Sequence, residues 1–547
     1  MNRTTSVERL KTEEFDICII GAGASGAGCA LDAALRGYKV ALIDRQDFAS
    51  ETSSKSTKLI HGGVRYLEQA FKKFDFAQLR QVRHGLEERH TVLRNAPHLA
   101  RPLPLVTPVS SWFEGLYFSI GLRIYDRFAV DDTLPKSQWL TKEQVLARIP
   151  TLNRKKLHSG VLYYDGQLDD ARYCLALVQS AAEAGTAVAN YMEVRGFGFD
   201  QTGRINSVRM VDLLTAASLE VRAKLVINCT GPFSDMVRLM ANPALPERIR
   251  PSKGVHAVLP WKLLQSDHAM LIPKTADGRV VFAIPFEGAL MIGTTDTETD
   301  GNSMEPSLNV TEKKYLLDTL NPYLEHKISI GEVKSGFGGL RPLLAADPSK
   351  STKTLLRDHE IEVDEKSGLL SLLGGKWTTY RLMAKDTIDE AEVNFSKKNA
   401  CTTDKHILAG AENFDADTWK QIRDTHNLEE DIARHLAQKY GSRAQDVAAL
   451  IKQDPNLKSR VSALYPFILA EAAYCARHEM AVTLRDFLAR RIRLEIVDWE
   501  ETLLSLPKVA AVMGAELGWD EAEMKRQTEV YSAVLRKFMS DADGDTL

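Results

Sequence analysis

The stretch Phe15-Asp-Ile-Cys-Ile-Ile-Gly21-Ala-Gly23-Ala-Ser25-Gly26-Ala-Gly28 decides how the rest of the chain is read. Its first six residues form a short apolar run, the pattern of a buried strand. G-x-G-x-x-G follows directly, and Cys29 to Arg36 continues as a helix that stops at Gly37. Tyr38 to Ile43 is the next strand, which makes a βαβ unit and implies a parallel sheet. Each glycine has its own task. Gly21 makes the tight turn, Gly23 lets the backbone approach a pyrophosphate, and Gly26 lets helix pack against strand. The N–H groups at the helix start, around Ser25, and the positive end of the helix dipole attract phosphate. Asp44 closes the second strand, where an acid hydrogen-bonds a ribose, and Arg45 follows it. A ligand-free tight turn uses the same glycines but does not require strand, helix and acid together.

No second G-x-G-x-x-G appears. Gly336-Phe-Gly338-Gly339-Leu-Arg341 lacks the third glycine, and Pro342 blocks a helix start there. The fingerprint does not distinguish FAD from NAD; a flavoenzyme reduced by NADPH would usually carry a second nucleotide fold, so for a flavin the substrate itself is the expected reductant. Thr141-Lys-Glu-Gln144 has the spacing of a capping box. Asp169 to Ala184 reads as a helix ending at Gly185, and Val194 to Val211 as a hairpin around Thr202-Gly203. Leu225-Val-Ile-Asn228 is another buried strand, followed by the small-residue turn Cys229-Thr230-Gly231-Pro232. His268 to Thr295 reads as short antiparallel strands of a second, substrate-side sheet.

Beyond Leu382 the pattern is almost wholly helical, with a boundary between about 385 and 412 where a polar linker begins at Ser396. The expected fold is α/β: a Rossmann-like dinucleotide domain, an antiparallel-sheet substrate domain, and an all-α C-terminal cap. The first two interleave over 1–395. The dinucleotide part falls mainly in 15–75, 160–250 and 350–395, the substrate part mainly in 76–159 and 251–349, and the cap in 396–547.

The 547 residues suffice for two to four domains with real cores. A net charge of −3 gives no basic excess for nucleic acid. Six cysteines without a C-x-x-C pair argue against zinc or a redox motif and fit a reducing compartment, so no metal site is expected. Met1 to Glu14 is polar, and glycines interrupt the apolar run Ile17 to Leu35. No signal peptide or transmembrane helix is read, and any membrane association is expected to be peripheral. Trp112 to Tyr125 is rich in aromatics at helical spacing, with Arg123 and Arg127 close by. Such a helix lies either on lipid or in the core. Arg490, Arg491 and Arg493 form a basic run, which suits anionic lipid or a solvated face.

Later segments carry a resemblance. Ser53-Ser-Lys-Ser-Thr-Lys58-Leu-Ile-His61-Gly62-Gly63-Val64-Arg65-Tyr66-Leu-Glu68 resembles the flavin-side loop of the FAD-dependent, quinone-linked glycerol-3-phosphate dehydrogenases. Ser252-Lys-Gly-Val-His256, Gly338-Gly-Leu-Arg341-Pro, Leu355-Leu-Arg357-Asp and Leu373-Gly-Gly375-Lys376-Trp377-Thr378-Thr-Tyr-Arg381 resemble later motifs of that family, in its order. Phe487 to Glu495 resembles its helical cap. The resemblance runs from about Phe15 to the C-terminus within the wider amino-acid-oxidase-like flavoproteins. Trp377 and Val64 depart from the residues expected there without changing the chemistry.

The resemblance implies bound FAD, oxidation of glycerol 3-phosphate, quinone as acceptor, a homodimer, and a cytoplasmic protein on the inner face of the cell membrane. An oxygen-using oxidase that makes peroxide is the alternative. It implies cofactor contacts from Gly21, Gly23, Ser25, Gly26, Asp44, Arg45, Ser53, Ser54, Lys58, His61, Gly62, Gly63, Val194, Thr230, Gly231, Gly375, Lys376 and Thr378. Glycerol 3-phosphate carries close to two negative charges, and the arginine fork matches phosphate. Arg341 and Arg357 are the expected phosphate ligands, with Arg65, Tyr66 and Lys376 beside substrate or flavin. Alcohol oxidation also needs a proton acceptor, for which histidine is suited. His256 and His61 are the candidates; His61, beside two glycines, is placed to hold the flavin loop against the ring instead, and His256 is preferred for proton transfer or hydroxyl positioning. A helix beginning at Lys376 would turn its positive end toward the negative charge of a reduced flavin.

Overall fold

The computed structural model describes residues 1–63, 76–128, 134–273, 275, 278–299, 305–344, 359–396 and 398–544. Val64, Arg65, Tyr66 and Arg357 therefore lie outside the described residues.

Strand Glu14–Ile20 pairs in parallel with Val40–Ile43 on one side and Ser218–Asn228 on the other. Leu370–Gly374 extends the parallel sheet, and His359–Val363 adds an antiparallel edge. Both faces are covered, which is why Ile17–Ile20 and Val40–Ile43 are apolar without alternation. Helices Ala24–Leu35, Asp170–Glu183 and Tyr380–Ala391 pack together over one face. The hairpin lies where the sequence placed it, with strands Met192–Phe199 and Ile205–Asp212 joined by a turn in which Gly203 has φ +87°.

Among the described residues a second sheet has ten strands. Ala269–Ile272, Val281–Phe286 and Ala289–Gly293 run antiparallel as expected. Ile249–Pro260 pairs with Ala289–Gly293 and with Ser335–Leu344, both antiparallel. Pro342 lies inside that last strand, opposite Pro251, so the segment around Gly338 is extended backbone and not a phosphate turn. Thr141 caps helix Lys142–Arg148 with both bonds of the capping box present.

After residue 400 the chain is helical, from Thr418–His426 to Glu521–Asp543. Its core is continuous with the second sheet: Ile432, Leu484 and Phe487 share one apolar cluster with Leu105, Met291 and Phe337. Charged pairs reinforce the seam. Arg172 binds Glu479 at 2.6 Å, and Lys439 binds both Asp169 and Glu287.

The basic run in this domain does not face lipid or solvent. Arg490, Arg491 and Arg493 are all buried. Arg490 and Arg491 bind Asp47, while Arg493 binds Asp170 at 2.9 Å and the Ser54 carbonyl at 2.7 Å. Sequence spacing shows a cluster of cations but not the carboxylates, hundreds of residues away, that bring it inside.

Helix Trp112–Phe128 is neither a fully buried core helix nor wholly exposed. It buries Gly115, Ser119, Leu122 and Tyr125, and it leaves Trp112, Phe113, Tyr117 and Ile120 more than half exposed. Among the described residues no helix is long and apolar enough to cross a membrane. Nor do they contain a group of three or more His, Cys, Asp or Glu placed to hold a metal.

Candidate functional site

The glycine turn opens one wall of a long cleft with about 1400 Å³ of atom-free space, its mouth included. Gly21 has φ +100°, and a Cβ there would stand 2.6 Å from the Cys229 carbonyl oxygen. A side chain at Gly26 would overlap the Gly21 carbonyl oxygen, and one at Gly23 would lie 2.7 Å from Ser53 Oγ. Backbone therefore occupies the space that side chains would take. This is the arrangement that lets phosphate reach the N–H groups of helix Ala24–Leu35.

Asp44 orders the same turn. Its carboxylate accepts from Ala22 N at 2.6 Å and from Gln46 N at 2.9 Å. Burial pushes its pKa up to about 6, although both backbone N–H groups favour the charged form. Arg45 lies over the Phe233 ring at 5.8 Å and lines the cleft with Val194, Thr230 and Gly231. Ser53 accepts from Ala24 N at 2.9 Å through Oγ and from the Trp377 indole at 2.9 Å through its carbonyl oxygen. Gly375 and Lys376 also line the cleft. Lys376 precedes a single 3-10 turn, Trp377–Thr379, and the α-helix itself begins at Tyr380, later than the sequence suggested. Gly21, Gly23, Ser25, Asp44, Arg45, Ser53, Val194, Thr230, Gly231, Gly375 and Lys376 thus share one cavity. A cradle without side chains, an acid at the ribose position and apolar walls fit a bound flavin dinucleotide.

Other expected contacts stand behind this lining. Ser54 is buried, and its carbonyl accepts from Lys58 Nζ at 2.7 Å. Lys58 also binds Asp170 at 2.7 Å, and burial lowers its pKa to about 7. Thr378 is buried under its turn. Gly62 donates its N–H to Tyr125 Oη at 2.7 Å, which fixes the loop, and Gly63 takes φ +86° beside it. The His61 ring, on the flavin-side loop, lies 6.5 Å from that of Phe282, which shares a sheet face with His256 because both residues pair with Gly293.

The second set of residues belongs to the antiparallel sheet. Ser252 pairs with Arg341, Gly254 with Gly339, and His256 with Phe337, so all six side-chain positions share one face. Gly254 leaves room for the Arg341 guanidinium, which lies where a Cβ would be. Arg341 donates to Thr294 Oγ1 at 3.0 Å and the Thr295 carbonyl at 2.9 Å, and it meets Asp296 at 3.4 Å. A quarter of its side chain remains exposed. Gly293 makes the same kind of room beneath His256. The His256 ring stacks on Phe337 at 4.7 Å, and its Nε2 lies 3.1 Å from Thr57 Oγ1. Its Nδ1 is buried and has no hydrogen-bond partner among the described residues. Burial, then Lys58 and Arg341, hold the His256 pKa well below the usual histidine value, so the ring stays neutral.

The loop from Glu51 to Lys58 joins the two halves. Thr52 Oγ1 donates to the Leu340 carbonyl at 2.7 Å, Thr57 meets His256, and Ser53 meets the glycine-turn helix. Reasoning from the sequence missed Thr57, Phe337 and the cleft-lining Phe233, Met236 and Met240. Thr57 lies within a quoted motif, and its hydroxyl was the one available signal. The apolar residues look like any others until the fold places them.

Comparison with known proteins agrees with this geometry. Residues 16–381 match the family of FAD dependent oxidoreductases, and residues 401–524 match the C-terminal domain of alpha-glycerophosphate oxidase. The mitochondrial glycerol-3-phosphate dehydrogenase of Arabidopsis thaliana is 40% identical over 550 residues, which is 97% of this chain and 87% of the relative. That of Homo sapiens is 40% identical over 540 residues, 96% of this chain and 73% of the relative. The crystal structure of glycerol-3-phosphate dehydrogenase from Bacillus halodurans complexed with FAD superposes with a TM-score of 0.79 at 29% identity, covering 97% of both chains. The L-alpha-glycerophosphate oxidase of Mycoplasma pneumoniae shares the fold, with a TM-score of 0.55 over 72% of this chain and 98% of that one. The chain belongs to the FAD-dependent glycerol-3-phosphate dehydrogenases.

Proposed function

We propose that the chain oxidises sn-glycerol 3-phosphate to dihydroxyacetone phosphate and delivers the electrons to a membrane quinone, as a homodimer held peripherally on the inner face of the cell membrane. One observation carries the substrate reading: Arg341 and His256 share a sheet face, with only the Gly254–Gly339 pair between them, and His256 meets Thr57 in the loop whose Ser53 binds the glycine-turn helix. When bound, FAD supplies the hydride acceptor.

Arg341 takes the phosphate. Its Nη2 already holds two threonine oxygens and its Nη1 meets Asp296 at 3.4 Å, and a phosphate would give the fork a bidentate, charge-assisted partner. Arg65, Tyr66, Arg357 and Lys376 complete the anion site in this reading. Oxidation at C2 also releases the hydroxyl proton, and His256 accepts it. A neutral, buried imidazole is in the protonation state that a base requires. Phe337 and Thr57 fix the ring, which limits the motion lost on reaching the transition state.

The match of residues 401–524 to an oxidase C-terminal domain favours a second reading, in which oxygen is the acceptor. Turnover with glycerol 3-phosphate in air, with a soluble ubiquinone analogue present or absent, separates the two. The quinone reading expects quinone reduction far faster than peroxide formation. One peroxide per substrate at full rate without quinone would replace it with the oxidase reading.

A further inference from the structure

We infer that the outer face of helix Trp112–Phe128 is the surface by which the protein docks onto an anionic lipid bilayer. The inference rests on the membrane reading above and assigns it to one element. Phe113 is 79% exposed, and Trp112, Tyr117 and Ile120 are each more than half exposed. At 100° per residue these side chains fall on one side of the helix, and Arg123 and Arg127, both exposed, fall on the same side one to two turns on. Aromatic and apolar groups beside arginines are the composition of a helix lying in a lipid interface.

The acids of the helix do not oppose this. Glu114 points off the face and accepts from Ser110 N and Oγ, each at 2.9 Å. Asp126 accepts from Ser137 N at 2.7 Å and Oγ at 2.6 Å. With Glu114 and Asp126 engaged within the chain, the described part of this face offers a second copy arginines and aromatics without a carboxylate to face them. Lipid phosphate supplies an anion for Arg123 and Arg127, and acyl chains take the aromatics.

The inner face explains why docking here serves the chemistry. Tyr125, on the buried side, accepts the Gly62 N–H of the flavin-side loop and donates to Asp165 at 3.0 Å. Arg89 binds the same Asp165 at 2.5 Å. The lipid-facing side and the loop are thus separated by roughly one helix diameter, about 10 Å.

The test uses flavin-loaded full-length protein and sedimentation with vesicles of phosphatidylcholine, alone or mixed with phosphatidylglycerol. Turnover with a soluble dye acceptor serves as the check on folding. We expect Phe113→Ser/Ile120→Ser to weaken binding to mixed vesicles by about tenfold or more. Arg123→Glu/Arg127→Glu should abolish the gain from phosphatidylglycerol. Dye turnover should match wild type in both. Undiminished vesicle binding by both variants would overturn the assignment of this helix and leave the membrane reading standing. Failure of the wild type to bind any vesicle would overturn both. If the variants instead convert a dimer to a monomer without changing vesicle binding, the occupant is a second copy and the lipid proposal is wrong.

Discussion

Arg491 grips both oxygens of Asp47, Nη1 to Oδ2 at 2.9 Å and Nη2 to Oδ1 at 3.0 Å, with the pair sealed from solvent. Asp47 lies three residues after Asp44, and Arg491 belongs to the helical C-terminal domain. That domain therefore reaches the strand end that shapes the cofactor cleft.

Removing Asp47 leaves Arg490 and Arg491 buried without their shared partner. Asp47→Ala should cost about 3–5 kcal/mol of stability, read as a lower denaturation midpoint. Burial alone would raise the Asp47 pKa, but Arg491 and Arg490 outweigh it and hold it below the ordinary value. Its contribution is accordingly present above pH ~4 and is lost as pH falls further. An unchanged midpoint at pH 7 would show that the two domains do not depend on this pair.

Gly26→Ala places a methyl group on the Gly21 carbonyl oxygen. The turn must then open, and the variant should purify with less than about a tenth of the flavin carried by wild type, since phosphate binding depends on this backbone. Flavin absorbance relative to protein, with circular dichroism as the check on folding, decides it. A fully flavinated variant would contradict the role given to the turn.

Asp44 should make cofactor affinity depend on pH. Its pKa of about 6 means that acidification removes the acceptor charge. FAD affinity should fall by up to about tenfold per pH unit below pH ~6. In Asp44→Asn affinity should be weak at every pH and flat across that range. Equilibrium binding to apoprotein from pH 5 to 8 measures both. A flat wild-type profile would place Asp44 outside the ribose contact.

The dinucleotide half was legible because strand, glycines, helix and acid are contiguous, so local spacing alone fixes Gly21, Gly23 and Asp44 around one turn. The substrate half was legible only in part. His256 and Arg341 lie 85 residues apart, and only strand register puts them on one face across Gly254. The arginines of the C-terminal domain were misread because burial of a cation depends on distant partners such as Asp47 and Asp170. The 3-10 turn at Trp377–Thr379 was not legible either, and the partner of its indole, the Ser53 carbonyl, is 324 residues away in the chain.

His256→Asn keeps a polar group of similar shape but removes the base. Turnover should fall by about 10²–10⁴, with KM for glycerol 3-phosphate changed much less. Because the His256 pKa lies well below the ordinary value, wild-type turnover should show no histidine limb between pH 6 and 8. Steady-state rates over that range are the check, and full activity in the variant would remove His256 from the reaction.

Anaerobic mixing with glycerol 3-phosphate, followed by flavin absorbance, tests the central claim most directly. The account predicts rapid bleaching by glycerol 3-phosphate and none at equal concentration of glycerol. It also predicts that Arg341→Ala needs about a hundredfold more substrate while keeping its full complement of FAD. Bleaching by glycerol as readily as by its phosphate ester, or an Arg341→Ala variant with wild-type substrate dependence, would contradict it.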